Sequence, residues 1–250
     1  MKKLLIILVI LPGLLMAGSG PANLIAEADS AYNKGLFNEA AARYEKVIET
    51  GWESPALYYN LGNTYFKLND LPSAILYYEK ARVLAPRDKD IQFNLAIANS
   101  MIIDKIEAVP EIFYVKWWKQ LKNSFNLHTW TIAGIVLFSL LVIVAGIFFL
   151  SVRVSLRKIS FWSGIVLLLL AAASFSITYS KYRVEANQLE AIVFHPTITV
   201  KSSPGQAGKD LFVIHEGTKV YILDEHNDWC NIRIANGSAG WLPAGSIKRI

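Results

Sequence analysis

Residues 55–88 read PALYYNLGNTYFKLNDLPSAILYYEKARVLAPRD, and the small and aromatic positions of this stretch have counterparts 34 residues earlier. Ala28, Ala31, Tyr32, Phe37, Ala40, Tyr44 and Val47 are answered by Gly62, Tyr65, Phe66, Leu71, Ala74, Tyr78 and Ala81. Such a period marks a helix pair stacked on its own copies, because each pair leaves an apolar face that only a neighbour can cover. Ala or Gly at positions 28, 40, 62 and 74 lets the two helices of a pair touch, while Tyr44, Tyr65 and Tyr78 fill the space beside them. The first copy, 21–54, lacks the first aromatic and the closing proline that Tyr58 and Pro86 supply to the second copy, 55–88. A third unit opens with Asn94, Leu95 and Ala96, repeating Asn60, Leu61 and Gly62, but Val109 and Pro110 stop it after one helix, 89–106. That helix is expected to cap the stack, its outer face left for the segment that follows or for a partner.

The pattern resembles the tetratricopeptide repeat, and residues 21–107 are read as an all-α repeat stack. The resemblance implies a concave groove, lined by the first helix of each pair, where peptides or protein surfaces bind. Here those helices present Ile25, Asp29, Tyr32, Tyr59, Asn63, Phe66, Phe93 and Ile97. The expected groove set is Tyr32, Tyr59, Asn60, Asn63, Phe66, Phe93, Asn94 and Ile97, with the asparagines as amide donors. It suits an apolar segment of a protein partner. Each aromatic taken singly serves equally well as plain core. Members of the family that clamp a terminal carboxylate carry Lys and Arg at several of these positions, and their absence argues against a clamp. Glu79 is read as an outward position.

Elsewhere the chain is apolar, with 53% hydrophobic and only 18% charged residues. A net charge of +5 would normally suggest nucleic acid, but the surplus is confined to one region. Residues 23–107 hold nine Lys/Arg against twelve Asp/Glu and residues 184–250 six against seven, whereas residues 108–183 hold eight against one. Positive charge that follows apolar segments is a membrane pattern, which leaves no role for nucleic acid. Residues 130–150 and 161–179 are uncharged runs of 21 and 19 residues, each long enough to cross a bilayer as a helix. The link SVRVSLRKI is short and basic, so the two spans return as a hairpin. Gly134, Gly146, Gly164 and Ala171 to Ala173 would allow close approach of its helices. Neither span holds an ionisable side chain, which favours anchoring over transport.

Residues 1–20, MKKLLIILVILPGLLMAGSG, read as a secretory signal whose apolar run is too short for a span. An exported amino terminus places the stack and everything after residue 181 in the periplasm of a bacterial inner membrane, with the basic link in the cytoplasm. Residues 111–128 contain FYVKWWKQLKNSF, which puts Tyr114, Trp117, Trp118, Leu121 and Phe125 on one helical face and Lys116, Lys119 and Asn123 on the other. This is an interfacial helix leading into Trp130, with Tyr114, Trp117, Trp118 and Trp130 at the headgroup depth of the lipid bilayer. The alternative packs Trp117 or Trp118 on the capping helix.

From residue 189 apolar and polar residues alternate in short runs, AIVFHPTITVKSS, LFVIHEGTKVYILDE and DWCNIRIANGSAGWLP, which argues a small all-β barrel over 189–250. Asn236-Gly237 signals a two-residue hairpin. The segment resembles the bacterial SH3-like domain in Ser203-Pro204, Gly217, Trp229, Gly237, Gly240, Trp241 and Pro243. The resemblance implies a ligand surface of Phe194, Trp229, Trp241 and Pro243, facing a peptide or peptidoglycan. His226 and Cys230, beside Asp224, Glu225 and Asp228, share a face of an extended chain but fall short of a metal ligand set; they read as a solvated turn and a buried thiol. With no nucleophile motif, phosphate loop or paired acids, the expectation is no enzyme, no cofactor and no metal.

The order of parts resembles the BatE proteins of bacterial aerotolerance (Bat) operons, and the entry EIFYVKWWKQL fits the same group. The resemblance implies an inner-membrane scaffold whose partners are von Willebrand factor A-type Bat proteins and a MoxR-type ATPase. The expected fold is thus a multidomain membrane protein: an all-α tetratricopeptide repeat stack, a two-helix transmembrane hairpin and an all-β SH3-like barrel. Two functions follow, a protein–protein interaction scaffold or, as the alternative, a cell-wall binding or sensing protein.

Overall fold

A computed structural model describes residues 20–106, 112–186 and 190–250. The expected signal lies outside them except for Gly20, as does the break at Val109 and Pro110. Five helices form the stack: α1 (Gly20–Asn33), α2 (Phe37–Glu49), α3 (Pro55–Lys67), α4 (Leu71–Leu84) and α5 (Lys89–Met101). Their starts are local chemistry. Ser54 accepts from Leu57 N and Asp70 from Ser73 N, with Pro55 and Pro72 in the first turns, and Asp88 accepts from Asp90 N and Ile91 N. The turns inside the two complete pairs share a left-handed residue at equivalent positions, Gly35 (φ 77°) and Asn69 (φ 60°). Gly62 is where the pair closes tightest, since a Cβ there would stand 2.6 Å from the Tyr78 ring.

The hairpin consists of α7 (Leu127–Leu150) and α8 (Val154–Ala186), both long and apolar enough to cross a membrane. Gly134 faces the Phe175 ring, where a Cβ would come within 3.1 Å, and Ser174 Oγ donates to Trp130 O at 2.9 Å. Gly146 has nothing within 4 Å of an added Cβ and is not a contact point. The second helix is longer than the apolar run that announced it. Leu156, Arg157 and Lys158, expected in the link, already belong to α8, which leaves only Ser151, Val152 and Arg153 as the connection. A stretch without Gly or Pro simply continues the helix beyond the apolar run.

Seven strands follow: β1 (Glu190–Val193), β2 (Thr197–Lys201), β3 (Asp210–His215), β4 (Lys219–His226), β5 (Trp229–Arg233), β6 (Ala239–Pro243) and β7 (Ile247–Arg249). They make one antiparallel sheet in the order β3-β2-β6-β5-β4-β1-β7 around Val193, Val200, Ile214, Val220, Ile232 and Leu242. The β5–β6 hairpin forms, but with three loop residues rather than two. Ile234 N bonds Ser238 O, Gly237 N bonds Ile234 O, and only Gly237 has positive φ, 89°. That is a turn closed by a left-handed glycine, the usual three-residue solution.

The barrel packs directly on the stack. Leu95 and Ala98 of α5 stand 34 residues after Leu61 and Thr64, which are fully buried inside the second pair. Among the described residues no sixth helix covers α5. Ile192, Phe194 and Ile250 of the barrel do so instead, packing with Ala74, Ile75, Leu76, Leu95, Ala98 and Ile102. Gly217 (φ 82°) sits against Ile102, whose Cγ2 would be 2.6 Å from an added Cβ. Lys219 Nζ lies 3.1 Å from Glu79 Oε2 and 2.6 Å from Glu190 Oε2, and Arg82 reaches Glu79 at 2.6 Å. Asp104 accepts from His215 N (2.7 Å) and Thr218 Oγ1 (2.6 Å) and faces His215 Nδ1 (2.8 Å). Glu79 is therefore an inward residue, not the outward one expected, because the face it lies on belongs to the seam. This contact requires both ends of the hairpin to emerge on the same side.

Candidate functional site

The concave side of the stack holds a cavity of about 270 Å³ lined by Tyr32, Asn63, Phe66, Lys67, Tyr78, Asn94 and Ile97. The first helices α1, α3 and α5 supply all of these residues except Tyr78, which comes from α4, and a polar network holds the floor. Asn94 Nδ2 donates to Asn63 Oδ1 (2.8 Å) and to Tyr59 OH (3.0 Å), while Tyr78 OH donates to the same Asn63 oxygen (2.7 Å). Burial pushes the Tyr78 hydroxyl upward, so it stays a neutral donor. With Asn63 Oδ1 occupied from within, the Asn63 amide nitrogen is the donor that a ligand would meet.

Of the eight expected groove residues, Tyr32, Asn63, Phe66, Asn94 and Ile97 line the cavity, and Tyr59 supports Asn94. Asn60 instead turns to Asp29 (3.4 Å), which also accepts from Tyr44 OH. Phe93 does not line the cavity; it stays 66% exposed on α5, near Ile97 and Met101. Lys67 and Tyr78 were not in the expected set. Lys67 lies one turn after Asn63 on the same helical face, a spacing that could have revealed it. Tyr78 doubles as core filler and groove floor, and its pairing with Gly62 points only to the first role.

Residues 25–98 match the tetratricopeptide repeat family. Residues 196–248 match the bacterial SH3 domain family. No curated protein matches the chain. Both matched families are interaction modules, one for protein surfaces and one for peptides or cell wall. The seam residues Ile102 and Asp104 lie beyond the first match, and Glu190, Ile192 and Phe194 lie before the second. What joins the modules is thus partly outside either repeat or barrel pattern.

On the barrel, Trp229 pairs with Pro243 and Asn231 with Trp241 across β5 and β6, while the intervening Cys230 and Leu242 are buried. Trp229, Trp241 and Pro243 therefore share the outer face, each half-buried. Phe194 is not part of that row. It packs in the seam, with Lys248 Nζ 4.1 Å from its ring centroid, because β1 runs along the stack. His226 is exposed and cross-paired with Trp229, whereas Cys230 points into the core, so the two do not share a face. Burial pushes the Cys230 thiol up, away from a reactive thiolate. Among the described residues no group of three or more His, Cys, Asp or Glu could hold a metal ion.

Helix α6 (Phe113–Asn123) meets neither the stack nor the barrel with its aromatic face: Tyr114, Trp117 and Trp118 are 57%, 65% and 44% exposed. Trp117 is thus mostly open, while Trp118 is about half covered. Trp130 is half-buried, stacks edge-on with Phe125, and donates from Nε1 to Lys122 O at 3.2 Å. Arg87 lies over Phe125 at 4.7 Å, and Asn126 Nδ2 donates to Leu84 O at 2.8 Å, which ties the start of α7 to the end of α4.

Proposed function

We propose that this protein is a membrane-anchored interaction scaffold that holds an apolar segment of a partner protein in the groove of its repeat stack. The observation that carries the reading is the cavity of about 270 Å³, with Tyr32, Phe66 and Ile97 as walls and Asn63 as a donor. A pocket that sets apolar walls beside the polar groups of Asn63, Asn94 and Lys67 can take an apolar anchor residue and hold the peptide backbone next to it. The two modules lie on the outer side of a bacterial inner membrane, a reading supported by the leader-like first residues and the basic link of the hairpin. The order of parts supports von Willebrand factor A-type Bat proteins, served by a MoxR-type ATPase system, as the partner class, and no catalysis is assigned. The test is crosslinking in native membranes from a photoreactive residue at Phe66 or Ile97. A discrete protein adduct is expected there and not from Glu49, an exposed position on α2. Equal crosslinking from all three positions would sink the groove reading.

A second reading rests on the row Trp229, Trp241 and Pro243, which gives the barrel a surface for peptidoglycan. Retention of the full-length protein on purified peptidoglycan, lost in Trp229→Ala with Trp241→Ala, would establish it. Retention unaffected by those changes would remove the row from consideration.

A further inference from the structure

The mouth of the hairpin nearest the stack is cationic. Lys122 of α6 and Arg183 near the end of α8 lie there, with the exposed Lys116 earlier on α6, and residues 112–183 contain no Asp or Glu. The geometry is held in place. Lys122 Nζ donates to Ser180 Oγ at 3.1 Å and Lys122 O accepts from Trp130 Nε1 at 3.2 Å, so the end of α6 is fastened to both membrane helices. Arg183 follows Ser180 by one helical turn, which brings it to the same rim. An ammonium has three donors, and Lys122 commits one of them to Ser180.

On the other side of α6 the rings are uncovered. Phe113 is 82% exposed and Trp117 65%, while Tyr114 and Trp118 are each about half exposed. A helix with aromatic residues on one face and lysines on the other, continuous with two membrane-length helices, fits the plane of a bilayer interface. The charge asks for more than any bilayer. Cations favour the cytoplasmic side, where Arg153 of the link and Arg157 and Lys158 at the start of α8 are placed by the reading above. At the opposite end Lys116, Lys122 and Arg183 form no ion pair among the described residues, which leaves lipid of their own leaflet to compensate them. A zwitterionic lipid would accommodate the rings and leave the cations without a net counter-charge.

We propose that α6 and the end of α8 form a binding site for anionic phospholipid, with the headgroup phosphate held by Lys116, Lys122 and Arg183 and the rings of Phe113, Trp117 and Trp118 at the acyl boundary. The site sets the height of the repeat stack over the membrane, since Asn126 and Arg87 connect the same rim to α4 and its following loop. It rests on the reading that α7 and α8 cross the bilayer. Resistance to alkaline extraction from membranes tests that reading separately.

The test uses the full chain in lipid nanodiscs of phosphatidylcholine alone or with phosphatidylglycerol, and reads the lipid that stays bound after transfer to mild detergent. Preferential retention of phosphatidylglycerol is expected, falling about fivefold for each cation removed. Lys116→Gln, Lys122→Gln and Arg183→Gln together should abolish the preference. Brominated acyl chains should still quench the fluorescence that is lost in Trp117→Phe with Trp118→Phe, which shows that the triple variant is folded and seated. Equal retention of the two lipids by the unaltered protein would overturn the proposal. So would a preference that survives the triple change, or α6 crosslinked to a protein in native membranes and unquenched by brominated lipid.

Discussion

Lys219 of the barrel lies 3.1 Å from Glu79 of the repeat stack, although 140 residues separate them. Burial alone would raise the Glu79 carboxyl, yet Lys219 and Arg82 outweigh it and hold that carboxyl below the usual range. The pair lies at the seam where the barrel covers α4 and α5. A third repeat would have used its second helix there, and here a different fold closes the stack.

Removing Glu79 should loosen that closure. Glu79→Gln leaves Lys219 facing Glu190 alone, and the expected loss is roughly 3 kcal/mol, at the low end for breaking a buried pair. Lys219→Met combined with Glu79→Met should cost less than the sum of the two single changes. Denaturant unfolding of the four proteins in detergent measures this coupling, and strict additivity would show that the pair is not a unit.

The seam should also weaken in acid. Burial pushes the Asp104 carboxyl up, but hydrogen bonds from Thr218 and His215 prevail and hold it below the usual carboxylate range. A depressed folded value means stabilisation that is complete above the unfolded value of about 4 and lost as pH falls through the folded one. Hydrogen exchange of α5 amides should therefore quicken below about pH 4. Asp104→Asn should quicken it at neutral pH and flatten the pH dependence.

Gly62→Ala tests the fit between the helices of the second pair. The new methyl would meet the Tyr78 ring at 2.6 Å, so the ring must move and take the groove floor with it. An overpacking cost of about 1–3 kcal/mol is expected, together with reduced partner crosslinking from Phe66. Unchanged crosslinking would separate Tyr78 from the groove.

Tyr78→Phe is milder. Asn63 keeps its bond from Asn94, and the loss should be about 1 kcal/mol in thermal or denaturant unfolding. Asn94→Ala removes donors to both Asn63 and Tyr59 and should cost more than Tyr78→Phe.

Helical period maps sequence onto faces, which is why Tyr32, Asn63, Phe66, Asn94 and Ile97 of the expected set line one cavity. Phe93 stands outside that cavity, exposed on α5. Phe194, just after β1, was misplaced because Ala191, Ile192 and Val193 are all apolar, and local sequence does not tell whether the side shared by Ile192 and Phe194 meets a ligand or the stack. The hairpin loop at Asn236-Gly237 was read one residue short because both loop lengths place a glycine at the left-handed position.

The 34-residue period, the two uncharged runs and the alternating strands determined the modules and their order, since each depends on contacts a few residues apart or on repetition. Only the tertiary structure decided that the modules form one body. The seam joins Ile75, Glu79, Leu95 and Asp104 to Ile192, His215 and Lys219, across the whole apolar hairpin. No local periodicity encodes such a contact. It exists because α5 exposes an apolar face that must be covered, and because the hairpin returns the barrel to the side where that face lies.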